Sequence, residues 1–225
     1  MPSLPPAGML SPMRILGLTG SIGMGKSVAA NTFRRLGIPV HDADAAVHRL
    51  TAPGGRAIPA IAKLFPDAVS QGVLDRKKLG ARVFADKAEL RKLERILHPM
   101  VRASQKQFLG ANRRKRVVVL DIPLLFEGRN ERRCHAVMVV STSRVIQRQR
   151  VMRRPGMTEE KFANILKNQM PDWEKRRRAD FVVPTGIGFR STLRRVLRIA
   201  KHLRHGRWPR GRHARNRARY GNHGT

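Results

Sequence analysis

Carboxylates are what this sequence has least of for its size. Its 225 residues include 47 Lys and Arg but only 15 Asp and Glu, a formal net charge of +32. Eight of the basic residues and none of the acidic ones fall in 201–225, so the rest of the chain still carries +24, 39 cations against 15 carboxylates. The excess is therefore not confined to the tail. A field of this size concentrates nucleotides, coenzymes and nucleic acid alike. A single cysteine, Cys134, excludes an intrachain disulfide framework and a cysteine-based zinc site. Its position before the apolar run His135-Ala136-Val137-Met138-Val139-Val140 predicts a packed thiol rather than a nucleophile. One Tyr and two Trp offer few platforms for stacked bases, and no RNA-binding signature is present, so specific nucleic-acid recognition is not expected. No Asn-Lys-x-Asp segment occurs, which disfavours guanine specificity. Residues 1–13 lack a long apolar stretch, and the expectation is a cytoplasmic protein without membrane association.

What remains is a globular composition, 41% hydrophobic, in a chain long enough for one sizeable core and a subdomain. Strand-like apolar runs recur at 14–19, 38–41, 117–122, 136–141 and 180–183, separated by helical patterns. This alternation predicts an α/β protein with a mostly parallel five-stranded sheet flanked by helices. The second and third runs lie roughly 75 residues apart, too far for one crossover helix. Within that interval 75–84 and 87–98 carry apolar residues three and four apart, and Pro99 is read as opening a further helix to Leu109. A helical insertion of about 45–115 follows, between core segments 13–44 and 116–203. Residues 144–154, the break Pro155-Gly156 and a helix from Thr158 predict a movable lid over about 145–172. Residues 184–188 read as a turn and 189–203 as a terminal amphipathic helix. Residues 1–12 are read as a flexible extension and the Gly- and Arg-rich 204–225 as a disordered tail.

Gly20-Ser21-Ile22-Gly23-Met24-Gly25-Lys26-Ser27 fits G-x-x-x-x-G-K-[ST] between a strand-like run and a helical pattern over 28–36. The glycines allow backbone N–H groups to face a phosphate, and the helix start adds its positive dipole end. Gly23, Met24, Gly25, Lys26, Ser27 and Val28 are thus candidate ligands of a nucleoside triphosphate. Lys26 is placed to reach the terminal phosphates and the Ser27 hydroxyl to hold Mg²⁺. Asp42 and Asp44 follow the second strand, at the ligand-facing end of such a sheet. One is expected to cap the helix 45–50 and one to accept a proton from a substrate hydroxyl. Asp121 ends Val117-Val118-Val119-Leu120, a Walker-B-like pattern that holds Mg²⁺ directly or through water, although a turn role competes. Arg150 and Arg154 are one helical turn apart, so both are expected to face the same way and are candidates to clamp phosphates when the lid closes. A lone His98 before Pro99 suggests a structural or substrate contact rather than a metal ligand.

Together these residues resemble the dephospho-coenzyme A kinase family, from Arg14 to about Leu203. The resemblance rests on Gly17 to Ser27, His41-Asp42-Ala43-Asp44, Leu79-Gly80 with Val83-Phe84, His98-Pro99, Asp121-Ile122-Pro123-Leu124-Leu125-Phe126-Glu127, and Gln147 with Arg150, Arg154 and Gln169. It implies a P-loop kinase fold with a helical coenzyme-binding insertion and a lid. The implied activity is ATP-dependent phosphorylation of the ribose 3′-hydroxyl of dephospho-coenzyme A, with Mg²⁺ as cofactor. By motif position the resemblance makes Asp44 the catalytic base, Lys26 and Arg150 catalytic cations, Arg150 and Arg154 lid phosphate ligands, and Asp44, His98 and Leu124 substrate contacts. Self-association is left open. The enzyme rival is a kinase of the same core acting on another nucleoside or nucleotide. The rival from another class is a P-loop protein that binds nucleic acid.

Overall fold

The computed structural model describes residues 12–209, and the expectations for 1–11 and 210–225 lie outside this part. Five strands form the main sheet: β1 (Arg14–Thr19), β2 (Val40–Asp42), β5 (Val117–Asp121), β6 (Ala136–Ser141) and β7 (Phe181–Pro184), in the spatial order β2-β5-β1-β6-β7. β1 pairs in parallel with β5 and β6, Ile15 opposite Val118 and Leu18 opposite Met138, and β6 pairs in parallel with β7. Every residue of β5 and β6, and all of β1 but Arg14, is buried. Continuous apolar runs of this kind are what a parallel sheet covered on both faces requires. The sequence runs mark all five strands to within about two residues.

The chain divides into two compact units, one built from the segments up to Val40 and from Asn112 onward, the other from His41–Ala111. In the first, α1 (Lys26–Arg35) and α9 (Phe189–Arg204) pack side by side on one face of the sheet. Ala29, Ala30 and Phe33 of α1 and Val196, Ala200 and Leu203 of α9 share a core with Leu16, Leu18, Val119 and Met138. Cys134 is fully buried, its thiol directed at the Asn130 carbonyl oxygen. The segment expected as a lid contains α6 (Arg144–Met152) and α7 (Glu159–Lys167), followed by a short helix not anticipated from sequence, α8 (Asp172–Arg178). No helix of the described residues is long and apolar enough to cross a membrane.

The second unit contains α2 (Ala43–Leu50), α3 (Ile58–Leu64), a hairpin of β3 (Val69–Ser70) and β4 (Val73–Leu74), α4 (Arg76–Ala85) and α5 (Lys87–Ala111). The hairpin was invisible to sequence periodicity because each strand has two residues. Its turn, Gln71-Gly72, has φ of 49° and 74°, the paired positive angles that a two-residue hairpin loop demands. α5 corrects the reading of Pro99 as a helix start, since the proline sits inside one 25-residue helix. A proline there removes the hydrogen bond to the carbonyl four residues back, at a cost of about 3 kcal/mol. The helix survives it because Leu90, Leu93, Ile96, Leu97 and Met100, on both sides of Pro99, pack on the core of Ile61, Phe65, Leu79 and Val83.

Phe33 is fully buried between α1, the sheet and α9. Phe33→Ala should lower unfolding stability by about 3–5 kcal/mol. Denaturant unfolding followed by circular dichroism measures this, and a loss below about 1 kcal/mol would mean that the α1–α9 layer is not a tightly packed core.

Candidate active site

The loop between β1 and α1 makes few hydrogen bonds to itself, Met24 N donating to Ser21 O at 3.1 Å and Val28 N to Gly25 O at 3.2 Å. Gly25, at φ 82°, is the N-cap of α1 and brings no side-chain cap; no acidic residue lies in the first turn. The helix start therefore keeps its positive end and first-turn N–H groups available to an anion. Gly23 is required twice over. Its φ is 76°, and a Cβ there would fall 2.6 Å from Val151 Cγ2 of α6.

Lys26 Nζ, on the first residue of α1, lies 2.5 Å from Asp121 Oδ1 at the end of β5. The Asp121 side chain is 3% exposed and that of Lys26 18%, so the pair sits at the floor of the site. The pairing of β1 with β5, Leu18 opposite Asp121, sets this distance, because it carries the carboxylate level with the start of the loop. The next segment is fastened back to β1: Ile122 N donates to Leu18 O at 3.0 Å and Thr19 Oγ1 to Pro123 O at 2.8 Å. Ser27 is exposed on the first turn of α1, and Leu124 is 44% exposed on the segment after β5.

α6 is seated on the loop rather than held above it. Gln147 and Val151 are buried, and Gln147 Nε2 donates to Ile22 O at 2.8 Å. Gln169, just after α7, accepts from Ile22 N at 3.1 Å. Both backbone groups of one loop residue are thus held by glutamines from opposite ends of the segment expected as the lid. Arg150 is half-buried and donates to Thr185 Oγ1 at 3.1 Å and Thr185 O at 2.8 Å, while Thr185 Oγ1 donates to Met24 O at 2.8 Å. Arg154 corrects the sequence expectation of a shared helical face. α6 ends at Met152, and Arg154 lies in the exposed turn before Pro155. A residue preceding proline is driven out of the helical region, which stops α6 there.

A second polar group, which sequence reasoning missed, braces the site. Glu127 Oε1 accepts from Met170 N at 2.7 Å and lies 2.9 Å from Nζ of the fully buried Lys175, an ion pair rather than an aligned hydrogen bond. Ser141 Oγ, at the end of β6, donates to Asp172 Oδ2 at 2.6 Å. In a run as basic as Lys175-Arg176-Arg177-Arg178, nothing in the sequence distinguishes the one cation that is buried.

In the second unit Asp42 caps α2, accepting from Ala45 N at 2.9 Å, and Asp44 is exposed in its first turn. Among the described residues the Asp44 side chain makes no hydrogen bond or ion pair. This resolves the choice left open for the cap: it is Asp42. His41 is buried, its ring 5.4 Å from that of Phe108 and its Nε2 3.2 Å from Ser104 Oγ. His98 is exposed on α5.

The family model described as dephospho-CoA kinase matches residues 14–187. A dephospho-CoA kinase of Paramagnetospirillum magneticum is 57% identical over 166 residues, 73% of this chain and 78% of that one. A dephospho-CoA kinase of Mesorhizobium japonicum is 52% identical over 194 residues, 85% of this chain and 98% of that one. Among solved structures, a Thermus thermophilus protein matches with a TM-score of 0.75 at 38% identity, over 84% of this chain and 96% of its own. A dephospho-CoA kinase from Campylobacter jejuni shares the fold at TM-score 0.61 and 23% identity, over 85% and 97%.

Burial holds the His41 pKa below its ordinary 6.5, Arg49 adds to the depression, and Asp42 opposes it. Below pH 6.5 the unfolded chain takes up a proton that folded His41 refuses, so its contribution to stability is present above that pH and is lost as pH falls through the folded value. Thermal unfolding of the wild type should therefore weaken on acidification through this range more than that of His41→Gln; parallel profiles would contradict the assignment.

Proposed function

This chain belongs to the dephospho-CoA kinase family, and we propose how its own residues carry the reaction of that family. The protein phosphorylates the ribose 3′-hydroxyl of dephospho-CoA with ATP, giving CoA and ADP, the final step of CoA biosynthesis. The observation that carries the assignment of roles is Lys26 resting on buried Asp121 at the foot of an uncapped helix start. Such a site holds an anion of high charge and has a cation ready to follow it.

In this reading backbone N–H groups of Gly23 to Val28 cradle the ATP phosphates. Lys26 swings from Asp121 to the β- and γ-phosphates, and Arg150 turns from Thr185 to the transferring group. Both cations neutralise charge that builds up in the transition state. Arg154, exposed beyond α6, is free to approach from the turn that follows it. Asp44 accepts the proton of the 3′-hydroxyl as its oxygen bonds to the γ-phosphorus and the bridging bond to ADP breaks. An exposed Asp44 beside a capping Asp42 supports this division of labour, since a carboxylate already committed to a helix end is a poorer proton acceptor. His98 and Leu124 are assigned to the coenzyme, the helical unit to its binding, and α7 with the turn at 153–158 to lid motion, in the cytoplasm.

The residues also fit Mg²⁺. An exposed hydroxyl, Ser27, and a buried carboxylate, Asp121, form a sparse hard-oxygen set, and no group of three or more His, Cys, Asp or Glu able to hold a metal occurs among the described residues. That is the protein share of a site in which nucleotide phosphates provide most ligands. Held by Ser27 and Asp121, Mg²⁺ would supply Lewis-acid withdrawal of charge from the nucleotide phosphates.

Purified protein given ATP, Mg²⁺ and dephospho-CoA should form CoA and ADP, with adenosine and AMP poor acceptors. Lys26→Ala should lower kcat/KM by on the order of 10²–10³, the loss typical of removing one preorganised charge contact. Asp44→Asn should reduce kcat far more than Asp42→Asn, which keeps a side-chain oxygen to accept from Ala45 N and so preserves the cap of α2. Equal kinetic effects would reverse the division between the two carboxylates.

A further inference from the structure

The α1–α9 layer lacks any charge compensation of its own. Its 26 helical residues contain nine Lys or Arg and no Asp or Glu, and of the nine Lys26, at the phosphate loop, is paired with Asp121. Cations elsewhere meet carboxylates: Arg82 pairs with Asp67 and Glu89, Arg148 with Glu159, and Arg178 with Glu174. Along α9 the uncompensated side chains line two shallow grooves. One, of about 210 Å³, is bounded by Ser191, Arg194, Arg195 and Arg198. The other, of about 460 Å³, is bounded by Arg198, Lys201, His202, His205 and Arg207.

The larger groove lies at the end of the layer remote from the phosphate loop. α1 leaves that loop at Lys26 and ends at Arg35, and the carbonyl oxygen of its C-cap Leu36 accepts from Arg204 near the end of α9. Beyond α9 the chain is pinned to the starting edge of the sheet. Trp208 stacks edge-on against His135, which precedes β6, and the guanidinium of Arg14, the first residue of β1, lies 5.7 Å over its ring. The Trp208 indole N–H also donates to Leu203 O at 3.2 Å. Five further arginines follow within residues 210–225, again without an Asp or Glu.

We propose that this α9 face is a docking surface for the phosphodiester backbone of a nucleic acid, bound by charge without reading sequence. Clustered arginines and lysines, on a helix and around grooves that carry no Asp or Glu among the described residues, are the arrangement that releases counterions from a phosphate chain. Few aromatics are present to stack on bases, which agrees with backbone contact and disagrees with sequence readout. A membrane surface fits less well. The stripe that α9 would have to insert, Thr192, Val196, Ala200 and Leu203, is already buried in the protein core.

The test uses the full chain and a labelled oligouridylate, with affinity measured across a salt series. Binding should weaken steeply with salt, and Mg²⁺-ATP should not displace the oligonucleotide. The variant R198Q/K201Q/R207Q changes three exposed side chains, none assigned a part in phosphoryl transfer. It should lower the salt slope by about 2, at roughly 0.7 per phosphate contact on a single strand, while kcat/KM for dephospho-CoA stays at the wild-type value. The control R91Q/R95Q/R102Q removes the same charge from α5 and should leave most of the slope. Displacement by Mg²⁺-ATP, an unchanged slope in the α9 variant, or an equal fall in the α5 control would overturn the proposal. Tighter binding to phosphatidylserine vesicles than to the oligouridylate would overturn it in favour of a lipid surface. Because the readout is binding, failure here leaves the kinase assignment standing, and failure of the kinase assay leaves this result standing.

Discussion

A loop that offers its backbone N–H groups to phosphate cannot use the same groups to hold itself in shape. Gly20 to Ser27 therefore depends on its surroundings. Gln147 and Gln169 take both backbone groups of Ile22, Thr185 takes the Met24 carbonyl, and Val151 presses on Gly23. The contributors come from α6, the end of α7 and the turn after β7, far apart in sequence and brought together by the order of the parallel strands. Much of the second half of the first unit thus serves as a mould for eight residues near its start.

The same constraint gives the expected lid a sharper outline. A segment that grips the loop at Gln147 and Gln169 cannot move as one piece without letting go of Ile22. Between those anchors lie the exposed turn at 153–158 and α7. The brace behind it, Glu127 with Met170 and Lys175, and Ser141 with Asp172, ties the ends of β5 and β6 to the chain that leaves α7. Burying Lys175 and its partner together is tolerable only as a pair, since either one alone would be an uncompensated charge.

Charge is divided along the molecule as well. At the phosphate loop one cation is matched to one buried carboxylate, Lys26 to Asp121. On the far end of α9 the cations have no such match. A chain with few carboxylates must ration them, and here they stand at the site, at helix starts such as Asp42 and Asp75, and in the brace. The α1–α9 layer has none.

The sequence by itself determined the strand runs, the loop between β1 and α1, the cap-forming carboxylate pair after β2 and the family to which they point. All of these are local: a period of two or of 3.6, a glycine spacing, or an Asp before a helix. Tertiary structure decided what depends on partners distant in the chain. It kept α5 whole through Pro99, because apolar residues on both sides share one core. Arg150 went to Thr185 and Arg154 outside the helix, Lys175 was buried among otherwise similar cations, and Asp121 came within reach of Lys26 across 95 residues of sequence. Periodicity records which face of an element is apolar, whereas the neighbour that face or charge will meet is set only when the strands pair.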